Sequence, residues 1–388
     1  MRQIARRIAA LAAAAALAAS LAAPGAQALD TPARAAIVVD LTSGAVLLEK
    51  NADEPLPPAS MSKLMTLNMV FEALEEGRLT LEDRFPVSEK AWKMGGSKMF
   101  VRVGDRIRVA DLLMGVTVQS GNDACVVLAE GLAGTEEAFA EQMNRRAAEI
   151  GLTDSHFLNA TGWPDEGHLM SVRDLARLAE RIVTKFPEHY RHFSIREFTW
   201  EDITQRNRNP LLDLGLGVDG MKTGHTEAAG YGLTASAERD GRRIVMVVAG
   251  LDSVGQRKTE AEKIVGWAFR EFRTGVLYAA GQPIVDAQVW VGDAPSVGLA
   301  PVSDVVVTTP FAQSDAVSAR IVYDGPVPAP IAAGDVIAQL IVEAPEMPPV
   351  AYPLAATADV GPGGLLARVE AAARLLLRAS ASPDGAAE

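Results

Sequence analysis

Ser60-Met61-Ser62-Lys63 opens a stretch without a breaker that runs to Glu76, in which Leu64, Leu67, Val70, Phe71 and Leu74 recur at helical intervals before Gly77. Pro57-Pro58-Ala59 leads into it, so the spacing predicts a helix over 60–76 with Ser60 in its first turn. Residues three apart on a helix lie on one face about a turn from each other, which lets the Ser60 hydroxyl and the Lys63 amine share a hydrogen bond. In the first turn, unsatisfied backbone N–H groups and the helix dipole favour a developing negative charge. For Lys63 to take the serine proton it must be neutral, which requires desolvation and a second cation close by.

Two further motifs follow in order. Ser120-Gly121-Asn122 falls where the apolar run 112–118 gives way to the run 124–132, and reads as a turn between two helices. A hydroxyl there can relay a proton, and an amide can hold a substrate peptide bond. Lys222-Thr223-Gly224 precedes the apolar segments 231–237 and 244–249, joined by the turn 238–242, which read as a hairpin. On a strand edge this motif presents a cation, a hydroxyl and open backbone to a carboxylate, and Lys222 supplies the second cation that Lys63 needs. Each motif alone recurs by chance, but the ordered set S-x-x-K, S-x-N, K-T-G is what an active-serine enzyme with a lysine base requires. Arg273-Thr274-Gly275 imitates the third motif. It follows a helical stretch, 260–272, with no strand before it, so Gly275 reads as a helix C-cap.

Around these motifs, 35–40 and 45–49 flank Leu41-Thr42-Ser43-Gly44 as a hairpin, 87–195 reads as mainly helical, and 217–251 returns to strands. The pattern is that of an α+β domain, over 29–280, whose antiparallel sheet is assembled from both ends of the domain, with a helical subdomain between them and the site between sheet and helices. From 281 the segments 283–291, 303–309, 318–323 and 336–342 are β-rich and separated by Gly, Pro and Asp turns, which predicts a small all-β domain over 281–354. A linker over 355–364, an amphipathic helix over 365–378 and a disordered tail over 379–388 are expected after it.

With these residues in place, the chain resembles the low-molecular-mass penicillin-binding proteins that act as serine-type D-alanyl-D-alanine carboxypeptidases. The blocks 58–66, 95–100, 118–125 and 219–226 are similar to that family's blocks and appear in its order. The likeness is strong from 35 to 272 and weaker beyond. It implies a β-lactamase/transpeptidase-like fold, an oxyanion hole made by the backbone N–H groups of Ser60 and His225, and an arginine upstream of K-T-G for the terminal carboxylate. Asn207-Arg208-Asn209 offers Arg208, in a loop one residue shorter than the family pattern. The implied reaction is removal of the terminal D-Ala from peptidoglycan stem peptides. Ser60, Lys63 and Ser120 would carry the chemistry, while Asn122, Lys222, Thr223, Gly224, His225 and Arg208 would bind substrate, and β-lactams would acylate Ser60. A D,D-endopeptidase shares the motifs. A serine β-lactamase would need a water-positioning Glu-x-x-Leu-Asn segment between the second and third motifs, which is absent, and a non-catalytic wall-binding scaffold would not require both nucleophile and base.

Composition narrows the setting. Arg2, Arg6 and Arg7, the apolar stretch 8–23 and Ala26-Gln27-Ala28 make 1–28 an expected signal peptide, and its removal would take the net charge from −12 to −15. A chain this acidic is a poor nucleic-acid binder. One cysteine, Cys125, excludes an intramolecular disulfide and reads as a small buried hydrophobe. Five histidines without a Cys-x-x-Cys or His-Glu-x-x-His disfavour a metal hydrolase; His189 and His192 read as packing residues, and no cofactor is expected. Residues 365–378 would reach only about 21 Å as a helix, too short to span a bilayer. Their apolar face and local basic charge suggest attachment to an anionic membrane surface, as in the family, and place the protein on the periplasmic face of the inner membrane.

Overall fold

The computed structural model describes residues 29–345, 349–365 and 369. The expected signal peptide, nearly all of the C-terminal helix and the tail lie outside the described residues. β1 (Ala35–Asp40) and β2 (Val46–Lys50) form the first hairpin. β3 (Val218–Thr226), β4 (Gly230–Arg239) and β5 (Arg242–Leu251) form a meander, and β5 pairs back onto β1. The result is one antiparallel sheet in the order β2-β1-β5-β4-β3, assembled from both ends of the domain as the sequence predicts. Strand side chains alternate between faces. Ala35, Ile37, Val245, Val247 and Ala249 enter one core while Ala36, Val38, Ile244, Met246 and Val248 enter the other. Both faces are covered, which is why 244–249 is an uninterrupted apolar run.

One face is covered by α1 (Lys63–Glu75), α3 (Asn122–Ala133) and α5 (Val172–Lys185), and the other by α6 (Val254–Glu271). α2 (Val109–Thr117) and α4 (Glu136–Glu149) complete the helical subdomain. In α5, buried Leu175, Leu178, Ala179 and Ile182 form the stripe that a core-facing helix needs, and the Ser171 side chain caps its first turn by accepting from Asp174 N–H. The helix expected over 60–76 is split. Residues Ala59–Ser62 form a 3₁₀ turn, and the α-helical part begins only at Lys63. Ala59 has φ +48°, a left-handed conformation that costs a residue with a Cβ about 1–2 kcal/mol, and this sets the nucleophile on a tight corner.

After α6 the chain does not stop at a glycine cap. Phe272 turns extended, buried with its ring against Trp267, and β6 (Phe272–Tyr278) carries Gly275 in mid-strand, opposite Val307 of β9 (Val305–Pro310). Strand pairing overrides the glycine signal, so the second unit is entered at Phe272 rather than 281. Its main sheet runs β10-β11-β12-β8-β7, from β7 (Val285–Trp290), β8 (Ser296–Pro301), β10 (Ser318–Val322), β11 (Val336–Glu343) and β12 (Val350–Ala356), with the short strand Val327–Pro328 added parallel to β7 at its end. The segment expected as a linker after 354 is largely part of this unit, because β12 continues to Ala356 and Val360, 2% exposed, bridges to Ile331 in its core. Among the described residues no helix is long and apolar enough to cross a membrane.

One carboxylate ties the two units together. Asp40 is fully buried and its Oδ2 accepts from Arg242 Nε (2.7 Å), Thr274 Oγ1 (2.8 Å) and Thr308 Oγ1 (3.0 Å). Arg242 also donates to Ala268 O and Phe272 O, so β1, β5, α6, β6 and β9 meet on one ion pair. Breaking such a pair leaves a buried charge without its partner. We predict that Asp40→Ala lowers stability by about 3–5 kcal/mol in urea denaturation; a loss below about 1 kcal/mol would place the junction's strength elsewhere.

Candidate active site

Ser60 stands half-buried on the 3₁₀ turn, and Lys63, fully buried, starts the α-helix one turn on. Lys63 Nζ lies 2.7 Å from Ser60 Oγ and donates to Thr161 O at 2.6 Å. Burial pulls the Lys63 ammonium down to about 8, against weaker opposing contributions from Cys125 and Asp123. A neutral amine with one N–H committed to Thr161 O turns its lone pair to the serine hydroxyl. Desolvation is thus what lowers Lys63, and the second cation expected from the sequence, Lys222, is not among the groups that lower it. Lys222 is also buried, and is held well below the usual lysine range by burial and then by the charge of Lys63, with Arg208 and Arg257 adding to it.

The K-T-G strand reaches the nucleophile through glycine. A Cβ on Gly224 would lie 2.8 Å from Pro58 O and 3.2 Å from Ala59 Cβ, and one on Gly232, its partner in β4, would lie 2.5 Å from Met61 Cε. A side chain at Gly224 would meet the backbone at Pro58 and push the serine turn off the sheet, whereas one at Gly232 would displace the end of the Met61 side chain. Lys222 Nζ donates to Thr223 O (3.0 Å), Thr223 is buried, and His225 is exposed with its ring stacked on Tyr231 at 3.8 Å. β3 is the end strand of its sheet, which leaves its outer edge for a substrate backbone.

Ser120 has φ +61° on the turn between α2 and α3, as the sequence places it. Asn122 Nδ2 donates to Gly95 O (2.8 Å), and the backbone N–H of Asn122 to Ser97 O (2.8 Å). Beside it, Asp123 is fully buried and accepts from the N–H groups of Met99, Phe100 and Val101, which straps the segment 97–101 to the head of α3. Arg208 is exposed and donates to Gln205 Oε1 (3.3 Å). Its loop is pinned by Asn207 to Phe193 O and Ile195 O and by Asn209 to Gly220 O, so the guanidinium stays near Lys222. Cys125 is fully buried and its thiol is pushed up to about 12 by burial, which makes it a packing residue. His189 stacks on Phe71 at 5.1 Å.

Three contributors carry no motif. The loop that supplies Thr161 O is organised by Asn159, whose Oδ1 accepts from Thr161, Gly162 and Trp163 N–H. It is tied down by His168, whose Nδ1 accepts from Leu158 N–H (3.2 Å), so that Nε2–H donates to Ser62 Oγ (2.7 Å). Burial lowers His168 to about 4, which keeps it neutral. Arg257 of α6 is 8% exposed, lies 5.7 Å from the Tyr231 ring, and its Nε has no partner among the described residues.

A buried lysine against a serine, faced by a second buried lysine on an edge strand, defines an active-serine, penicillin-interacting hydrolase. A family profile described as D-alanyl-D-alanine carboxypeptidase matches residues 22–253, and one described as penicillin-binding protein 5, C-terminal domain, matches 272–361. The chain belongs to the D-alanyl-D-alanine carboxypeptidase family, a family of serine hydrolases. It is 38% identical over 351 residues to the Escherichia coli D-alanyl-D-alanine carboxypeptidase DacC, covering 88% of each chain, and 36% identical over 341 residues to DacD of the same organism, covering 86% and 88%. Among solved structures, penicillin binding protein 5 from Haemophilus influenzae superposes with a TM-score of 0.80 at 36% identity, over 87% of this chain and all of that one.

The glycine contacts generate a prediction. Gly224→Ala displaces the serine turn by the few tenths of an ångström that a 2.8 Å contact demands, and acylation by penicillin falls about 100-fold with the fold intact by circular dichroism. Unchanged acylation would show that the turn yields freely.

Proposed function

We propose that the protein removes the terminal D-alanine from peptidoglycan stem peptides through an acyl-enzyme on Ser60. Ser60 Oγ attacks the carbonyl between the two D-alanines as its proton passes to neutral Lys63. The oxyanion is held by the backbone N–H groups of Ser60 and His225. The C–N bond breaks as the departing amine takes that proton back, relayed by Ser120, leaving an ester on Ser60 and free D-alanine. Water then attacks the ester and gives its proton to Lys63, and the bond to Ser60 Oγ breaks as Lys63 returns the proton to that oxygen and the shortened peptide leaves. Asn122 orients the substrate amide.

The observation that carries this reading is the 2.7 Å contact of Ser60 with a lysine that burial holds near 8. Lys222 is lowered by burial and then by the charge of Lys63, so a protonated Lys63 discourages a second charge at Lys222. A substrate carboxylate at Lys222 and Thr223 favours a charge on Lys222, while Lys63 acts as the base once it has lost its own proton. Arg208 at the rim and Arg257, held behind Tyr231, add positive potential for the same carboxylate. β-Lactams bring a carboxylate and a strained carbonyl to this centre, and related solved structures include Listeria monocytogenes penicillin-binding protein D2 in its ampicillin-bound form, 30% identical over 62% of this chain with a TM-score of 0.56. Export by residues 1–28 and attachment of 365–378 to the outer surface of the cytoplasmic membrane would bring the site to its polymer.

Two outcomes test the mechanism. Wild-type protein releases D-alanine from a stem pentapeptide and takes up one penicillin on Ser60 by mass spectrometry, whereas Ser60→Ala does neither; a labelled Ser60→Ala protein would sink the assignment. Because the amine is charged below its pKa, the second-order rate of acylation rises with pH through about 8, and a flat profile between pH 6 and 10 would rule out Lys63 as the base.

A further inference from the structure

Arg208 differs from the arginines around it in the partner it is given. Arg196 and Arg206 of the same segment both meet Asp213, and Arg243 meets Asp219 and Glu238. Arg208 instead donates to an amide among the described residues, Gln205 Oε1 at 3.3 Å. The other end of that amide is engaged as well, since Gln205 Nε2 donates to Lys98 O at 2.9 Å, across 107 positions of sequence. A guanidinium can only donate and a carbonyl can only accept. The half-buried amide therefore has one orientation, with its oxygen to the arginine and its nitrogen to Lys98.

Lys98 belongs to the segment that Asn122 and Asp123 hold, through Gly95 O, Ser97 O and the N–H groups of 99–101. Gln205 lies on a hairpin, Glu197–Trp200 paired with Ile203–Arg206, where it stands opposite Phe198. Phe198 O in turn accepts from Nε2 of Gln119 (3.2 Å), which is fully buried immediately before Ser120. Both strands of the hairpin are thus fastened to the Ser-Gly-Asn side of the cleft before the chain runs on to Arg208. The contact at the hairpin's turn, Arg102 with Glu201 at 3.3 Å, is exposed on both sides and adds little. A carboxylate at 205 would grip the guanidinium more strongly than an amide does, and would also cancel its charge. A neutral holder fixes the direction of Arg208 and leaves its charge for a ligand.

We propose that Gln205 is a positioning residue for the substrate carboxylate: its amide holds Arg208 in place without neutralising it, and ties that arginine to the segment 95–101 that Asn122 holds on the other side of the cleft. This rests on the part given to Arg208 in the carboxypeptidase reading above.

The test measures the second-order rate of Ser60 acylation by benzylpenicillin and by its methyl ester, which lacks the carboxylate, alongside kcat and KM for D-alanine release from a stem pentapeptide. Gln205→Ala lowers the rate with benzylpenicillin about 10-fold, within the range of coupling between neighbours in one hydrogen-bond network. It leaves the rate with the ester nearly unchanged, and its effect on the peptide falls mainly on KM. Gln205→Glu has the same shape and would preserve a packing role, yet it costs at least as much, because it cancels the charge of Arg208 and offers Lys98 O no proton. In an Arg208→Ala background, Gln205→Ala has no further effect on the preference for acid over ester. Equal losses on acid and ester, a Gln205→Glu protein that acylates like wild type, or additive effects of Gln205→Ala and Arg208→Ala would each overturn the inference. Wild-type protein that is acylated by penicillin but releases no D-alanine would overturn the carboxypeptidase reading instead, and the comparison of acid with ester would still decide the role of Gln205.

Discussion

The structure is organised around a cost, that of burying Lys63 completely and holding its nitrogen 2.7 Å from Ser60 Oγ. An ammonium in such a place is expensive, and the protein meets the cost by lowering the proton affinity, not by supplying a counter-ion. Asp123 is near enough to be felt, but its oxygens are committed to the backbone of 99–101. The polar partner given to Lys63 Nζ besides Ser60 is Thr161 O, a neutral acceptor that satisfies an amine N–H without restoring its charge. The second buried lysine, Lys222, is lowered in turn by burial and then by the charge of Lys63.

That arrangement demands close approach from three directions. The serine corner is strained at Ala59, K-T-G touches it through Gly224, Gly232 admits Met61, and Gly162 brings the opposing loop against Ala59 O. Behind these contacts stands a sheet buried on both faces, which fixes β3 relative to α1, and a loop locked by Asn159 and neutral His168. Precision at the serine is a property of packed elements on every side of it. The all-β unit is attached at the other end of β1, through Asp40, so the strand that helps to build the catalytic sheet also anchors the second domain. The threonine of Arg273-Thr274-Gly275, which mimics the third motif, serves in that anchor.

Much of this was legible in the residues because the chemistry is local. Ser60 and Lys63 are one helical turn apart, the helices flanking Ser120-Gly121-Asn122 begin and end where apolar periodicity changes, and the runs 35–40 and 244–249 announce buried strands. What stayed hidden depends on contacts between distant segments. Thr161 acts through a carbonyl, which has no sequence signature, and Arg257 becomes relevant only because α6 brings it beside Tyr231. Gly275 misled because glycine after a helix is an ordinary cap signal, while pairing with Val307 lies more than thirty residues ahead. The boundary after 354 was blurred for a similar reason, since Val360 is drawn into the core by Ile331. His168 stood unremarked because no spacing connects it to Ser62.

The central claim is that Lys63 is a base at physiological pH because it is buried, and it is open to direct observation. Selective labelling of lysine side chains, with the Lys63 signal assigned by its loss in Lys63→Arg, allows its nitrogen to be titrated by NMR in the free enzyme. The account predicts a midpoint at about 8. A midpoint at about 10.4, where an unperturbed lysine titrates, would contradict it and send the search for the base elsewhere.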